Sequence, residues 1–490
     1  MTLRSLRRLV LIAFVVLLFP AIASAEPGGP PPIPHGTVGQ RLHSLLGLVA
    51  FTSLAWAIGR AMGARTRVPT RTIVWGTILQ FAFGAIVVWN RWFLIAINDA
   101  VDALLGFTLE GAKLVFGDLA KLQGPAVIDA AGHTVGYAQE VGYFAFFVLP
   151  TIIFFSALTA VAYHSGIMQY VVQGFAWVMS KTMGTSGAET LSSAANIFVG
   201  QTEAPLMVKP FVAVATNSEL MAIMVGGFAN IASGVLGLYT IWLRPFLPDA
   251  AGHLAAACFI TAPGSLLVAK LLVPETEIPT TAGGVEFKVD RIDANLVDAA
   301  ARGTSDGLGL AINVGAMLIS FTALVALFNA LLSVGFGYTP LVHLIARHPI
   351  MHHTIRLPEL PVLTMEGILG VVFRPLAWLC GISWKESQIV GSLLGIKTVL
   401  NELIAYEHMR DLLIAHPLAA DAAGLSMRSR LIATYALCGF ANFASVGIQV
   451  GGISSLAPNR RADLSRIGLL AMVGGAICSL MAASVIGILY

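Results

Sequence analysis

One seven-residue string occurs twice in the chain. It reads GFANIAS at residues 227–233 and GFANFAS at residues 439–445, an offset of 212 (439 − 227). Each copy lies in a long apolar run, and each carries an Asn and a Ser three positions apart: Asn230 with Ser233, and Asn442 with Ser445. Each also has a carboxylate upstream in a broken apolar stretch, Glu203 in GQTEAP (200–205) and Glu402 in LNELI (400–404). Polar groups inside apolar segments are costly unless they have partners or work to do. An internal repeat built on such groups is the mark of a membrane transporter whose site lies where the repeats meet.

Composition decides the solvent. Of 490 residues, 57% are hydrophobic and 11% charged, with a mean hydropathy of +0.81. Soluble domains carry roughly 25% charged residues, so the bilayer has to cover the excess apolar surface. The apolar runs are long and continuous, which fits helices and not the short alternating strands of a barrel. The expected fold is all-α and polytopic, with the lipid bilayer as a partner. A net charge of +3 without any basic block gives no footing for nucleic acid. Cys258, Cys380, Cys438 and Cys478 are far apart in apolar runs, with neither metal spacing nor a disulfide framework.

Taken in order, residues 1–25 combine Arg4, Arg7 and Arg8, a short apolar run and Ala23-Ser24-Ala25, the pattern of a signal peptide. Residues 26–41 read as a Pro/Gly-rich exported leader. Spans are expected near 42–62, 73–95, 141–163, 220–243, 251–273, 303–334, 430–451 and 467–489. Residues 167–183 suit a tilted or partial helix, and 98–122 an amphipathic helix along the interface. A polar loop is expected at 123–140, a polar connection at 274–302, and a loop or interfacial segment at 335–360 with His343, His348, His352 and His353. Two stretches, 184–211 and 388–413, are too apolar for loops and too interrupted for single helices. Re-entrant hairpins accommodate both facts, because irregular backbone at membrane depth must face protein or a wet cavity. The expected organisation is therefore 42–183 as N-terminal spans and scaffold, 184–273 as first hairpin and broken helix, 274–385 as a connecting region, and 386–490 as second hairpin, broken helix and last span. Arg60, Arg65, Arg67 and Arg71 fall between two spans, as do Arg460, Arg461 and Arg466. Positive-inside places both groups in the cytoplasm and both mature termini on the exported side.

Three strings carry a resemblance. GQTEAPLMVKPF (200–211), NEL (401–403) and CGFANFASVGIQVGG (438–452) are similar to signatures of the concentrative nucleoside transporter family. The resemblance runs from about residue 40 to the end. It implies inverted repeats with two re-entrant helical hairpins and two unwound transmembrane helices, a homotrimer, and cation-coupled nucleoside uptake across a bacterial inner membrane. It also implies site residues. Gln201, Thr202 and Glu203 would meet the nucleobase, Val235 and Phe440 would pack beside base and sugar, and Glu402, Asn442 and Ser445 would bind ribose. Asn196, Val199, Asn230 and Ile231 would hold the cation. Asn230 departs from the family, whose members carry a small hydroxyl residue there. The hairpin tip follows the sodium-type pattern, so sodium is the expected coupling ion and the proton the alternative. No organic cofactor is implied.

The chemistry suits those roles. An ionised carboxylate only accepts, so it can take ribose O–H donors, while Asn442 and Ser445 can donate back. A spacing of three puts that pair on one helical face. The competing structural reading pairs Glu203 or Glu402 with Lys209 or Lys397 and treats the asparagines as helix–helix glue; Glu189 and Lys397 are open to gating or structural roles. An intramembrane enzyme and a nucleoside-gated channel are the rivals from other classes. No nucleophile–base set or metal-ligand set accompanies the repeats, so the chain is not expected to be an enzyme. One cation moved inward gains about 2.3 kcal/mol per 100 mV, enough for roughly forty-fold accumulation of a neutral solute.

Overall fold

The computed structural model describes residues 36–63, 69–120, 126–128, 134–137, 144–147, 149–247, 249–282, 293–335, 364–416 and 424–490. The signal peptide, leader residues 26–35 and the four loop histidines lie outside the described residues; the leader's expected end at 41 is corrected, because its last four residues already belong to the first helix. Helices dominate, as the apolar runs require. The first two are α1 (Val38–Ala61) and α2 (Thr70–Trp89). Thr37 starts α1 with a capping box: its hydroxyl accepts from the Gln40 N–H, and the Gln40 side chain accepts from the Thr37 N–H.

The amphipathic helix α3 (Arg91–Phe116) begins seven residues earlier than expected. With Asp99, Asp102, Glu110 and Lys113, it is not among the described helices long and apolar enough to cross a membrane. In the expected polar loop after it, strands Ala126–Ile128 and Thr134–Tyr137 pair antiparallel as a short ribbon. Helices α4 (Leu149–His164) and α5 (Ile167–Met183) follow, bent 78° from one another. Gly166 makes the corner with φ 83°, a conformation glycine adopts without steric cost.

The first repeat holds α6 (Gly187–Ala195), α7 (Asn217–Ala229), α8 (Ser233–Leu243) and α9 (Ala250–Leu272). A single helix, α10 (Leu296–Gly335), takes up the expected span at 303–334 and begins seven residues before it, so the polar connection is shorter than expected. Next come α11 (Met365–Leu379), α12 (Ser387–Val399), α13 (Glu402–Ala415), α14 (Met427–Leu437), α15 (Phe443–Leu456) and α16 (Arg461–Leu489). Six described stretches, α7 and α8 counted as one, are long and apolar enough to span, and the bent pair makes a seventh candidate. Apart from that short ribbon the described elements are helical, and the protein is a multi-pass membrane protein with inverted repeats, two hairpins and two unwound helices.

Burial is sharply uneven. In α9 every residue but two is buried, and α7 is buried along nearly its whole length. By contrast α10 leaves Ile312, Ile319, Leu324 and Leu331 exposed. The inner helices are thus solvated by protein and the outer ones by whatever surrounds the chain. The four cysteines are buried and free. The Gly36 N–H donates to the Tyr490 carbonyl, so the chain's described start and its end share one face of the molecule.

Candidate functional site

The first hairpin is built by a cap and two breakers. Ser186 and Glu189 form a capping box that starts α6. The helix stops at Asn196, the tip turns through Gly200, and Pro205 starts a 3-10 turn over Ala204–Val208. Asn196 is fully buried; its amide nitrogen donates to the Ser192 carbonyl at 3.1 Å, while its Oδ1 has no hydrogen-bond partner. The second hairpin turns in two residues, Leu400 and Asn401. Asn401 Oδ1 accepts from the Ile404 N–H at 2.9 Å and caps α13. That cap sets Glu402 at the first helical position, where the positive end of the helix favours a carboxylate.

The two copies of the heptapeptide break their helices differently. In the first, GFA still belongs to α7, and the interruption is Asn230–Ala232. In the second, α14 ends at Leu437 and the interruption covers residues 438–442. Gly439 there has φ 126°, and a Cβ on it would lie 2.7 Å from the Ala229 carbonyl oxygen and 2.8 Å from that of Phe228. Only glycine lets the second break come this close to the end of α7.

Around that contact the expected substrate residues come together. Glu402 Oε1 accepts from the Tyr239 hydroxyl at 3.0 Å, and Oε2 accepts from the Asn442 amide at 3.2 Å. Tyr239 belongs to the first repeat and Glu402 to the second, so this carboxylate joins the halves. Across the same seam Gln201 Nε2 donates to Ser445 Oγ at 3.2 Å, while Gln201 Oε1 is buried without a partner. Thr202 packs on α15 at Gly452, Val235 is buried, and Phe440 is half-buried. Glu203 stands apart. It is exposed, its Oε2 accepts from the Gly200 N–H at 3.3 Å, and it bonds to neither Glu402 nor Asn442.

Two expectations need correcting. Asn442 and Ser445 do not present side by side on a helical face. Asn442 is the N-cap of α15, and its Oδ1 accepts from the Ser445 N–H at 2.9 Å, so its amide hydrogens are what it can donate to a ligand. Asn230 does no such capping. Its Nδ2 donates to the Gly226 carbonyl at 3.1 Å, and its Oδ1 accepts from the Thr261 hydroxyl at 2.6 Å. The Glu–Lys pairing also fails: among the described residues no ion pair joins Glu203 or Glu402 to a lysine. Lys209 is exposed, Lys397 bonds elsewhere, and the buried pair is Lys270 with Glu189 at 2.7 Å.

Tyr239, Thr261 and Gln449 were missed in the sequence. The cue for Tyr239 was available, since a phenol in an apolar run needs a partner for its hydroxyl. Gln449 is fully buried one turn after Ser445, and its Nε2 donates to the Met224 carbonyl at 3.2 Å, tying α15 to α7. Val199 and Ile231 are buried beside Asn196 and Asn230 in the first hairpin and first break. The buried free oxygen of Asn196 suits a hard cation, which takes oxygen ligands.

Comparison with known proteins agrees with this geometry. Three family models match: Na+ dependent nucleoside transporter N-terminus at residues 46–119, nucleoside recognition (Gate) at 145–245, and Na+ dependent nucleoside transporter C-terminus at 253–487. An uncharacterized transporter of Bacillus subtilis, YutK, is 38% identical over 452 residues, 91% of this chain and 98% of that protein. Rat sodium/nucleoside cotransporter 1 is 38% identical over 461 residues, 92% of this chain and 64% of that protein. The structure of CNTnw in an inward-facing substrate-bound state matches with a TM-score of 0.76 at 37% identity, over 92% of this chain and 98% of that one. With the family matched from residue 46 to residue 487 and the repeats joined through Glu402, the chain belongs to the Na+-dependent nucleoside transporter family, the concentrative transporters its motifs resemble.

Proposed function

We propose that the protein imports nucleosides across a bacterial inner membrane, driven by sodium entry. The observation that carries the substrate reading is the Glu402 carboxylate, buried at the seam and holding donors from both repeats. A ribose brings its own O–H donors, which can take the place of Tyr239 or Asn442 on that carboxylate. The freed Asn442 amide then donates to a sugar oxygen. Gln201, with one amide oxygen already unpartnered, and Thr202 suit a base edge of mixed donors and acceptors. Val235 and Phe440 supply apolar walls, and Ser445 completes the polar rim with Gln201. Glu203, open at the hairpin tip, reaches the base from the other side.

Sodium is assigned to Asn196, Val199, Asn230 and Ile231. Two side-chain oxygens and the carbonyls of an irregular tip and a broken helix make a neutral cage for a hard cation. Occupying it ties hairpin to helix and so firms the tip that carries Gln201–Glu203. The membrane potential acts on the ion's charge, and alternating access moves the hairpin-bearing unit against the outer helices. The family is one of transporters and not of enzymes.

The test is radiolabelled uridine uptake into proteoliposomes with sodium and pH gradients imposed separately. Uphill uptake that follows the sodium gradient at constant pH is expected. Uptake that ignores sodium and follows pH would move the coupling to protons, and no accumulation above equilibrium would remove the symport. Glu402→Ala should cut uptake at least about a hundredfold, the scale of losing hydrogen bonds to a charged group, while membrane insertion persists.

A further inference from the structure

Several buried charges serve neither the substrate nor the cation site, and one of them stands at the second hairpin. Lys397 is 2% exposed, in the last turn of α12 and five residues before Glu402. Among the described residues it makes no ion pair. Its Nζ donates to the Ala436 carbonyl at 3.0 Å and lies 3.3 Å from Ser479 Oγ. Ala436 is the penultimate residue of α14, so its carbonyl is one of those a helix end leaves without a helical donor. Ser479 Oγ also lies 2.7 Å from the Cys438 carbonyl. With its proton committed there, the hydroxyl turns a lone pair to the ammonium. Lys397 thus sits on the negative end of the first half of the second broken helix.

The first repeat makes the matching approach with an uncharged arm. Asn196 ends α6 as Lys397 nearly ends α12, and its amide reaches α7 close to that helix's end. A Cβ on Gly226 would lie 3.1 Å from Asn196 Nδ2. There the arm brings a free acceptor oxygen and no charge. Both hairpins therefore meet the carbonyl end of their own broken helix. One arrives with a neutral amide whose oxygen is free, and the other with an ammonium.

We propose that Lys397 is a tethered cation: it does for the second broken helix what the transported ion does for the first. This rests on reading the chain as a cation–nucleoside symporter. The negative ends of two half-helices are brought to membrane depth by the repeat, and each needs a positive partner there. The first partner exchanges with water and is cargo. The second is covalently held, always present, and locks α12 to α14. Because Asn401 and Glu402 follow directly on that arm, Lys397 is a positioning residue for the ribose carboxylate. The first repeat then responds to sodium and the second does not, so one exchangeable cation accompanies each nucleoside.

The experiment uses the full-length chain in nanodiscs, with uridine binding titrated at several sodium concentrations. The wild-type chain is expected to bind uridine with a sodium Hill coefficient near one and one radiolabelled sodium per uridine. Two sodium ions per uridine would overturn the proposal, whereas a wild type that does not bind uridine in sodium would refute the symporter reading itself. Lys397→Met keeps length and loses charge. It should weaken uridine binding about tenfold or more at saturating sodium, as expected when hydrogen bonds from a charged donor are lost. Unchanged affinity would overturn the proposal. Lys397→Ala should regain binding with added ethylammonium and not with tetramethylammonium, which has no N–H to donate. A folded Lys397→Ala protein that responds to neither amine, or to both alike, would sink the tethered-cation role. Ser479→Ala, a milder change, should lower uridine affinity a few-fold and leave the sodium Hill coefficient unchanged; wild-type affinity would count against the site.

Discussion

At the scale of single residues, the seam is held by groups that satisfy one another until a ligand replaces them. Tyr239 and Asn442 both donate to Glu402. Removing one donor costs about 1–3 kcal/mol when the acceptor is charged and buried. Tyr239→Phe should therefore weaken uridine binding roughly tenfold, measured by titration, with the sodium dependence of binding unaltered. A stronger effect on sodium than on uridine would place Tyr239 outside the sugar site. Asn230 gives the complementary case. Its Oδ1 has one lone pair facing the Thr261 hydroxyl, which also lies 2.7 Å from the Ala257 carbonyl. An amide oxygen has two lone pairs, so the second one on Oδ1 is left for an ion. Asn230→Ala should raise the sodium concentration for half-maximal uptake about tenfold while uridine affinity at saturating sodium changes little. An unchanged sodium requirement would put the ion elsewhere.

At the scale of elements, the heptapeptide shows how one sequence supports two breaks. Asn442 caps α15, so the second copy unwinds ahead of it, through Gly439. Asn230 turns its amide back to Gly226 and reaches α9 through Thr261, so the first copy stays helical up to Ala229. The contact between the second break and α7 yields a graded prediction. Gly439→Ala meets backbone carbonyls at the end of α7 and has φ 126°, so it should destabilise by about 2–4 kcal/mol through strain and overpacking. Gly227→Ala meets Gln449 Nε2 and Gln201 Cβ, side chains that can give way. It should cost about 1 kcal/mol. Thermal unfolding in detergent should rank Gly439→Ala well below Gly227→Ala, and equal melting temperatures would mean the second break does not bear on α7.

At the scale of the whole molecule, a deeply buried interior is ringed by helices with apolar outer faces. In α9 the spanning window is 89% buried, and in the α10 stretch only 19%. A face such as Ile312, Ile319 and Leu331 needs lipid or another protein surface. We propose that copies of the chain cover part of it, in the trimer that the motifs imply. Native mass spectrometry from detergent should then give three copies of the 51.6 kDa chain, less any leader removed, and a monomer at all protein concentrations would refute this.

The order of the elements was legible in the residues. Apolar runs and their interruptions mark helices because an unpaired backbone group cannot face lipid, and that rule acts locally. For the same reason the hairpins at Gly200–Pro205 and Leu400–Asn401 follow from nearby residues. Glu402, Asn442, Gln201 and Ser445 could be named as candidates because polar groups are rare in such runs. What waited for the fold was which of them touch. Tyr239 finds Glu402 across 163 positions, Gln201 finds Ser445 across 244, and Glu203 finds neither carboxylate nor amide of the seam. The two uses of GFAN, a cap in one copy and a tie to Thr261 in the other, are not told apart by the four letters they share. Hydrogen-bond partners at that separation are chosen by packing, and packing is a property of the folded chain alone.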